Sequence, residues 1–280
     1  MINALIIKTV RDYLEGVLKG VYFGDIDKIT HDHLSLGRVG EQLELLSSFV
    51  GDLKGKKLLE VGSGWGLFVA LARKQAIESY GIEPEEEVYQ TSLKVLEGYG
   101  LSQDIIKQAP GEKIPFEDNT FDVVYSTMVL EHVKDPKKVI RESVRVLKKG
   151  GYLQFVIPNY GSFWEGHYGI LWPPNLSKPL AKIYVSLLGR DPSYLDTLNL
   201  INQRYLKKIT AGINEAKVID WGYGVWKKRL LTLQFSQWAT LGSLKRLVKL
   251  AHQLRLIKLI CLFGRVLNWQ TPIIMTLQKQ

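Results

Sequence analysis

The stretch Leu58-Leu59-Glu60-Val61-Gly62-Ser63-Gly64-Trp65-Gly66 decides the fold of this chain. A short apolar run with an acidic residue near its end leads into three glycines spaced two apart. An amphipathic helical pattern then begins at residues 67–72. This order predicts a strand, a tight turn and the start of a helix, which is how a nucleotide-binding βαβ unit opens. Glycine is expected in such a turn because the backbone adopts positive φ angles and comes close to a ligand.

The glycine spacing separates this turn from the dinucleotide-binding fingerprint. Gly62, Gly64 and Gly66 read G-x-G-x-G, whereas the fingerprint has its third glycine three residues after the second. An oxidoreductase that binds a nicotinamide cofactor is therefore the weaker interpretation. The carboxylate of Glu60, just before the turn, suits a ligand that carries an ammonium group.

Further motifs follow the glycine turn in a fixed order. Glu83, followed by Pro84, ends a second apolar run about twenty residues later, where a carboxylate reaches a ribose diol in such folds. The remaining motifs are Ala-Pro-Gly-Glu-Lys-Ile-Pro-Phe at 109–116, Asp-Asn-Thr-Phe-Asp-Val-Val-Tyr at 118–125, Val-Leu-Glu-His-Val at 129–133 and Arg-Val-Leu-Lys-Lys-Gly-Gly at 145–151.

On these motifs, residues 57–158 resemble the core of a class I S-adenosylmethionine-dependent methyltransferase, a family that includes small-molecule and ubiquinone-biosynthesis enzymes. The resemblance implies S-adenosylmethionine as the cofactor. It also implies an α/β, Rossmann-like sheet of seven strands, mostly parallel with an antiparallel last strand, and with helical insertions. One departure is that Pro110 stands where many relatives have an acidic residue beside the adenine, which leaves this contact to backbone groups or Glu112. The cofactor contacts implied are Glu60, Gly62, Ser63, Gly64, Gly66, Glu83, Pro84, Gly111, Glu112, Thr127 and Met128.

The resemblance and the predicted order of strands and helices divide the chain into four segments. They are N-terminal helices at 1–50, the cofactor-binding core at 51–158, a substrate-side insertion or lid at 159–215, and the last two strands at 216–280 with a basic helical hairpin inserted at 225–269. Strands are predicted near 57–62, 77–83, 104–108, 121–126, 151–157, 218–222 and 271–277, and the resemblance implies that the last of them lies at the sheet edge.

Two histidines are candidates for catalysis. An acceptor hydroxyl or amine must lose a proton to a base, and His167, close to Glu165 in the aromatic-rich insertion, is the first candidate. His132 is the second, although Glu131-His132 is also interpreted as the start of a helix. No metal site is expected, because His31-Asp32-His33 is read as a solvated turn without a further ligand nearby.

The positive charge is concentrated in the second half of the chain. Of the net +9, residues 151–280 hold 17 Lys and Arg against 5 Asp and Glu, and no carboxylate side chain follows Asp220. Such asymmetry indicates a partner. Two interpretations of the hairpin at 225–269 stay open: packing on the domain or on a second subunit of a homodimer, and attachment to an anionic membrane surface. Nucleic acid is disfavoured, because aliphatic residues outnumber stacking aromatics.

These features set the expected location and acceptor. The single cysteine, Cys261, fits a reducing compartment, and no uncharged run approaches the roughly 18 residues of a spanning helix. We therefore expect a cytoplasmic protein, with attachment to the inner face of the membrane left open. The expected acceptor is small or lipid-linked, with glycan O-methylation first and a quinone or lipid precursor as the alternative. A catalytically inactive, cofactor-binding partner subunit is the alternative from another functional class.

Overall fold

The computed structural model of the chain describes residues 2–234 and 242–280, so part of the predicted hairpin, residues 235–241, lies outside the described residues. The described residues contain nine strands, which are β1 (Lys57–Val61), β2 (Glu78–Glu83), β3 (Ile106–Gln108), β4 (Phe121–Thr127), β5 (Leu147–Ile157), β6 (Trp164–Glu165), β7 (Ile170–Leu171), β8 (Ala216–Asp220) and β9 (Ile273–Lys279).

Helices surround these strands. In chain order they are α1 (Ala4–Leu18), α2 (Ile26–His33), α3 (Leu36–Val50), α4 (Leu67–Lys74), α5 (Glu86–Gly98), α6 (Pro136–Val146), α7 (Lys178–Leu187), α8 (Gln203–Thr210), α9 (Tyr223–Thr232), α10 (Gly242–Gln253) and α11 (Ile257–Leu267). No helix in the described ranges is both long enough and apolar enough to cross a membrane.

Seven strands form one sheet in the order β3-β2-β1-β4-β5-β9-β8. Strands β1 to β5 pair in parallel, and β9 is antiparallel to both β5 and β8. The predicted Rossmann-like sheet with an antiparallel last strand is therefore confirmed. The prediction that the last strand lies at the sheet edge is wrong, because β8 takes the edge. The apolar β9 is buried along Ile273–Leu277, whereas β8 is mostly exposed or half-buried.

Apolar side chains cover both faces of the sheet. Leu59 and Val61 of β1 point into a cluster formed with α6 and α8, while Leu58 points into a second cluster formed with α1, α3 and α4. Successive strand residues alternate between the two faces, so one strand serves both clusters. This two-sided burial explains why the core strands read as nearly continuous apolar runs.

The insertion after β5 has an apolar cluster of its own. Tyr160, Tyr168, Trp172 and Val185 are among its buried members. Backbone contacts hold it to the core, because the Asn199 N–H donates to the carbonyl of Glu131 at 2.7 Å. The insertion is thereby fixed beside the end of β4.

One local prediction is wrong. His31 and His33, assigned to a turn, lie in the last turn of α2. The helix forms because the Asp25 carboxylate caps it, accepting the N–H groups of Asp27 and Lys28.

Candidate active site

The glycine turn connects β1 to α4. Gly62, Gly64 and Gly66 have φ angles of +73°, +51° and +75°. A Cβ atom on Gly62 would collide with the Val129 side chain, and one on Gly66 would lie 2.9 Å from Cδ1 of Ile106. At Gly64 a Cβ atom would meet nothing within 4 Å. Gly62 and Gly66 are therefore required by packing as well as by conformation, and Gly64 borders space that a ligand can fill.

Glu83 lies beside this turn. Its Oε2 accepts the Gly64 N–H at 2.9 Å, and its Oε1 accepts the Glu85 N–H at 3.1 Å. Burial raises the pKa of Glu83 above its ordinary value. Both oxygens keep lone pairs for further donors such as ribose hydroxyls. Pro84 follows directly and ends the strand.

Two buried polar side chains at the turn lack a protein partner. Within the described residues, Oε2 of Glu60 and Oγ of Ser63 make no hydrogen bond. Burial, assisted by the nearby Glu83, raises the pKa of Glu60 well above its ordinary range. An unsatisfied buried polar group costs about 1–3 kcal/mol, so a ligand that supplies donors here is stabilised. Glu60, Ser63, Gly64 and Glu83 thus fit the ammonium and hydroxyl groups of S-adenosylmethionine.

The loop at Gly111 and Glu112 makes contacts of a structural kind. A Cβ atom on Gly111 would lie 3.1–3.2 Å from the side chains of Val61 and Val139. Oε1 of Glu112 accepts the N–H groups of Lys134 at 2.9 Å and Asp135 at 3.2 Å. Glu112 therefore ties its loop to the start of α6, and its contact with adenine stays a prediction.

Thr127 is the last residue of β4 and Met128 follows it, and both lie between the glycine turn and a cavity. Met128 has a φ of +53°, and its N–H donates to the Val156 carbonyl at 2.8 Å. The next residue, Val129, lies against Gly62. Thr127 and Met128 also line a cavity of about 570 Å³. Two of the predicted cofactor contacts, Thr127 and Met128, are therefore also part of the cavity wall.

This cavity is lined chiefly by apolar side chains. They come from the N-terminal helices, the end of β4, the insertion and helices α9 to α11. Among them are Leu14, Leu45, Tyr125, Phe163, Trp226, Leu230, Leu247, Val248, Ala251, Ile257 and Trp269. His132, His167, Arg38 and Arg229 supply polar groups in the same wall.

His167 and Glu165 form a buried ion pair at the cavity wall. Nδ1 of His167 donates to Oε1 of Glu165 at 2.6 Å, and Oε2 of Glu165 accepts the Tyr168 N–H at 2.6 Å. Burial is the largest single influence and would lower the pKa of His167, but the charge and hydrogen bond of Glu165, together with the charge of Glu131, outweigh it and raise this pKa above its ordinary value. Burial would raise the pKa of Glu165, but the His167 charge and the hydrogen bonds that Glu165 accepts from His167 and the Tyr168 N–H together lower it.

His132 faces His167, with 3.4 Å between their Nε2 atoms. Removal from bulk water lowers the pKa of His132 to about 3, and the positive charge of His167 adds to this effect. His132 is therefore neutral near pH 7 and a weak base. The structure brings both predicted histidines together and favours His167 as the stronger base.

Glu131 does not start a helix, contrary to one interpretation of the sequence. Helix α6 begins at Pro136 and is capped by Asp135, whose carboxylate accepts the Lys138 N–H. Burial raises the pKa of Glu131 to about 7, and neither of its carboxylate oxygens has a hydrogen-bond partner within the described chain. Ligand atoms of Glu131, His132 and His167 lie within 4.8 Å of one another, a donor set that can hold a metal ion. The absence of a metal stays a prediction.

Several cavity residues had not been singled out from the sequence. Tyr194 lies in the insertion with its ring centroid 5.6 Å from that of His167, and Trp226 and Arg229 come from α9. The hydroxyl of Tyr125 is buried without a hydrogen-bond partner in the described structure. Of these residues, only Tyr125 could have been placed near the site from the sequence, because it lies near the end of a predicted strand.

Comparison with known proteins assigns the core to a family. Residues 59–155 match a family described as a methyltransferase domain. Over 118 residues the chain is 30% identical to a ubiquinone biosynthesis O-methyltransferase from Bordetella avium, covering 41% of this chain and 47% of that protein. The matched part thus spans less than half the length of this curated relative.

Solved structures share the fold over nearly the whole chain. A putative sarcosine dimethylglycine methyltransferase from Galdieria sulphuraria has a TM-score of 0.52 and 18% identity, covering 97% of each chain. The [4+2]-cyclase SpnF has a TM-score of 0.55 and 17% identity, covering 98% of this chain and 93% of its own. These similarities show the fold, not the reaction. The motifs, the strand order and the match of residues 59–155 identify this segment as a methyltransferase domain, similar in motifs and fold to the class I S-adenosylmethionine-dependent methyltransferases.

Proposed function

We propose that this protein transfers a methyl group from S-adenosylmethionine to a hydroxyl group of an apolar acceptor. A quinone or lipid precursor is the preferred class, and a lipid-linked saccharide is second. The observation that carries this proposal is the position of Thr127 and Met128. Thr127 ends the strand that pairs with β1 beside the glycine turn, Met128 follows it, and both form part of the wall of an apolar cavity that His167 also lines.

The walls of the cavity support an apolar acceptor. A free saccharide would lose water from many hydroxyl groups beside Leu230, Val248 and Ile257, and each unpaired hydroxyl would cost free energy. An isoprenoid tail or acyl chain would instead gain from burial of its surface. The glycan acceptor expected first from the sequence is therefore kept only in its lipid-linked form. The name of the Bordetella avium relative, which refers to ubiquinone biosynthesis, supports the quinone class.

The chain's own residues would align the acceptor and remove its proton. The cofactor supplies a methyl group that is already activated, so alignment and exclusion of water are the main tasks of the protein. Glu165 holds Nδ1–H of His167, which leaves Nε2 of the neutral ring as the proton acceptor. Nε2 of His132, 3.4 Å away, marks where an acceptor hydroxyl would approach.

Label transfer tests this function. The protein is incubated with S-adenosylmethionine carrying a labelled methyl group and with total cell extract, which is then separated into aqueous and organic fractions. We expect label in the organic fraction, and none with Gly64→Val, in which a branched side chain obstructs the cofactor turn. Label confined to water-soluble products would contradict the apolar acceptor. Cofactor binding without transfer to either fraction would instead indicate an inactive partner subunit.

A further inference from the structure

Helix α11 carries apolar side chains on two faces. Ile257, Cys261 and Gly264 are buried, and they pack toward α9 and α10. Four other large side chains, spaced i, i+3, i+4 and i+7, are exposed: Leu259 by 51%, Leu262 by 59%, Phe263 by 53% and Val266 by 71%. Packing within the described structure thus uses one apolar face and leaves the other uncovered.

Helix α10 extends this uncovered surface. Leu247, Leu250 and Leu254 are 45%, 49% and 58% exposed, while Val248 and Ala251 are buried against the hairpin. We call the exposed side chains that do not line the cavity the apolar ridge; its members are Leu250, Leu254, Leu256, Leu259, Leu262, Phe263, Val266 and Leu267. A concentration of this kind on two consecutive helices differs from singly scattered apolar residues and indicates a binding surface.

Every charged side chain that the structure describes on α10, α11 and their connection is positive. Among the side chains whose burial is described, the exposed basic residues of these helices and their connection are Arg246, Lys249, Arg255, Lys258 and Arg265. No Asp or Glu follows Asp220 in the sequence. A second copy of this chain, docked through the same face, would bring two positive surfaces together and be repelled. An anionic lipid surface would be attracted by the basic side chains and would bury the ridge.

We propose that α10 and α11 lie on an anionic membrane with the apolar ridge inserted at the boundary between headgroups and acyl chains. The geometry is that of a helix pair lying in the interface and not crossing it, in agreement with the short length of both helices. The proposal rests on the proposed function in one respect. The inward side of the same helices lines the cavity through Val248, Ala251, Ile257 and Ile260, so a lipid-like acceptor can enter from the bilayer.

Vesicle co-sedimentation tests the proposal without cofactor or acceptor. The full chain is mixed at low salt with vesicles of phosphatidylglycerol and phosphatidylcholine, or of phosphatidylcholine alone. We expect binding to the anionic vesicles only, weakening as added salt shortens the screening length to about 8 Å and below. Equal binding to neutral vesicles would overturn the electrostatic part of the proposal. No binding at low salt would overturn the proposal as a whole.

Charge variants locate the basic surface. Replacing Arg246, Lys249 and Lys258 together by Gln should lower the apparent partition coefficient by about tenfold or more, since each basic group near the surface contributes about 1 kcal/mol. The matched control replaces three exposed basic residues of the core, Lys113, Lys138 and Arg141, by Gln. An equal loss in both variants would show that net charge, not this face, drives binding.

Ridge variants test insertion. Leu259→Ser, Leu262→Ser and Val266→Ser combined should abolish most binding, because the side chains that enter the membrane are lost. The matched control replaces Leu180 and Ile183 of α7, which are 55% and 59% exposed, by Ser and should bind normally. Cofactor affinity by calorimetry verifies the fold of each variant.

A second copy on the ridge is the outcome to exclude. A concentration-dependent dimer in analytical ultracentrifugation, lost in the ridge variant, would assign the ridge to a subunit contact and overturn membrane insertion. Vesicle binding needs no turnover, so its result is independent of the label-transfer assay, which tests the proposed function.

Discussion

Nδ1 of His167 lies 2.6 Å from Oε1 of Glu165, and the carboxylate is held from its other side by the Tyr168 N–H. The carboxylate thereby fixes the ring and leaves Nε2 on the side of His132 and the cavity. A histidine oriented by a buried carboxylate is the arrangement expected of a general base. The insertion that carries both residues is in this way linked to the proposed chemistry.

Removing the base should slow turnover without affecting cofactor binding. His167→Ala is expected to reduce turnover by about 10²–10⁴-fold, with S-adenosylmethionine affinity by calorimetry unchanged. The loss should be smaller at high pH, where the acceptor ionises without assistance. His31→Ala, a histidine on the exposed surface of α2, is the control. Near-normal turnover of His167→Ala across the pH range would return this residue to a structural role.

The pH dependence of turnover should reflect the ion pair between Glu165 and His167. Because Glu165 raises the pKa of His167, the base is protonated and inactive below that value, and turnover rises with pH along a limb centred above pH 6.5. In Glu165→Gln the raising charge is absent and burial lowers the pKa, so the limb should move to lower pH while the maximal rate falls. Turnover of the native protein and of Glu165→Gln, each measured from about pH 5 to 9, gives the two limbs to be compared. Coincident limbs would contradict the assignment.

The cofactor site should depend on Glu83. A hydrogen bond to a charged group contributes about 1.5–3 kcal/mol, so Glu83→Ala is expected to weaken S-adenosylmethionine binding at least tenfold. Gly64→Val should be more harmful. Glu86→Ala, at an exposed residue of the following helix, is the control for both. Unchanged affinity of Glu83→Ala by calorimetry, with an unchanged circular dichroism spectrum, would reject the ribose assignment.

Chelation should leave turnover unchanged if His167 acts as a free base. Glu131, His132 and His167 have the ligand atoms of a metal site, so this expectation needs a direct test. The protein is dialysed against EDTA and assayed with and without added Zn²⁺. Activity that is lost on chelation and restored by zinc would assign the three residues to a metal and reject the base mechanism.

Packing of the hairpin should depend on Gly264. A Cβ atom on this residue would collide with the Trp226 ring, so Gly264→Ala should lower the free energy of unfolding by about 1–3 kcal/mol. Gly16→Ala in α1, where a Cβ atom meets nothing within 4 Å, should instead raise it by about 0.5–1 kcal/mol. Urea denaturation compares the two. A stabilised Gly264→Ala would contradict the packing of α11 on α9.

Local sequence signals predicted the cofactor turn well. The spacing of Gly62, Gly64 and Gly66 predicts the turn itself. The acidic residue at the end of the second strand predicts its partner, because the ends of neighbouring parallel strands lie side by side. Glu83 reaches the Gly64 N–H because β1 and β2 pair in parallel, which the βαβ pattern already implied.

Two wrong predictions, the edge position of β9 and the turn at His31–His33, conflict with side-chain patterns in the sequence. Residues 273–277 are apolar except for Thr276, which indicates an interior strand, whereas Lys217 and Asp220 mark β8 as an edge. Asp25, an N-cap residue, predicted a helix through His33. The apolar side chains along β9 thus explain its interior position, and the capping side chain of Asp25 explains the start of α2.

The cavity could not be predicted from local patterns. Its wall joins Leu14 of α1, Tyr125 of β4, Trp226 of α9 and Val248 of α10 with His167, which lies in the turn between β6 and β7. Their meeting depends on how the insertion and the hairpin dock on the sheet, and such docking leaves no periodic signal. The pairing of His132 with His167, 35 residues apart in the chain, depends on the same docking.

The central claim, transfer of a methyl group to an apolar acceptor, is tested most directly by quantifying S-adenosylhomocysteine. The protein is incubated with S-adenosylmethionine alone, with the lipid fraction of a cell extract, or with its aqueous fraction. The account predicts S-adenosylhomocysteine in molar excess over protein with the lipid fraction only, and its near loss in His167→Ala. Tight cofactor binding without S-adenosylhomocysteine from either fraction would contradict it.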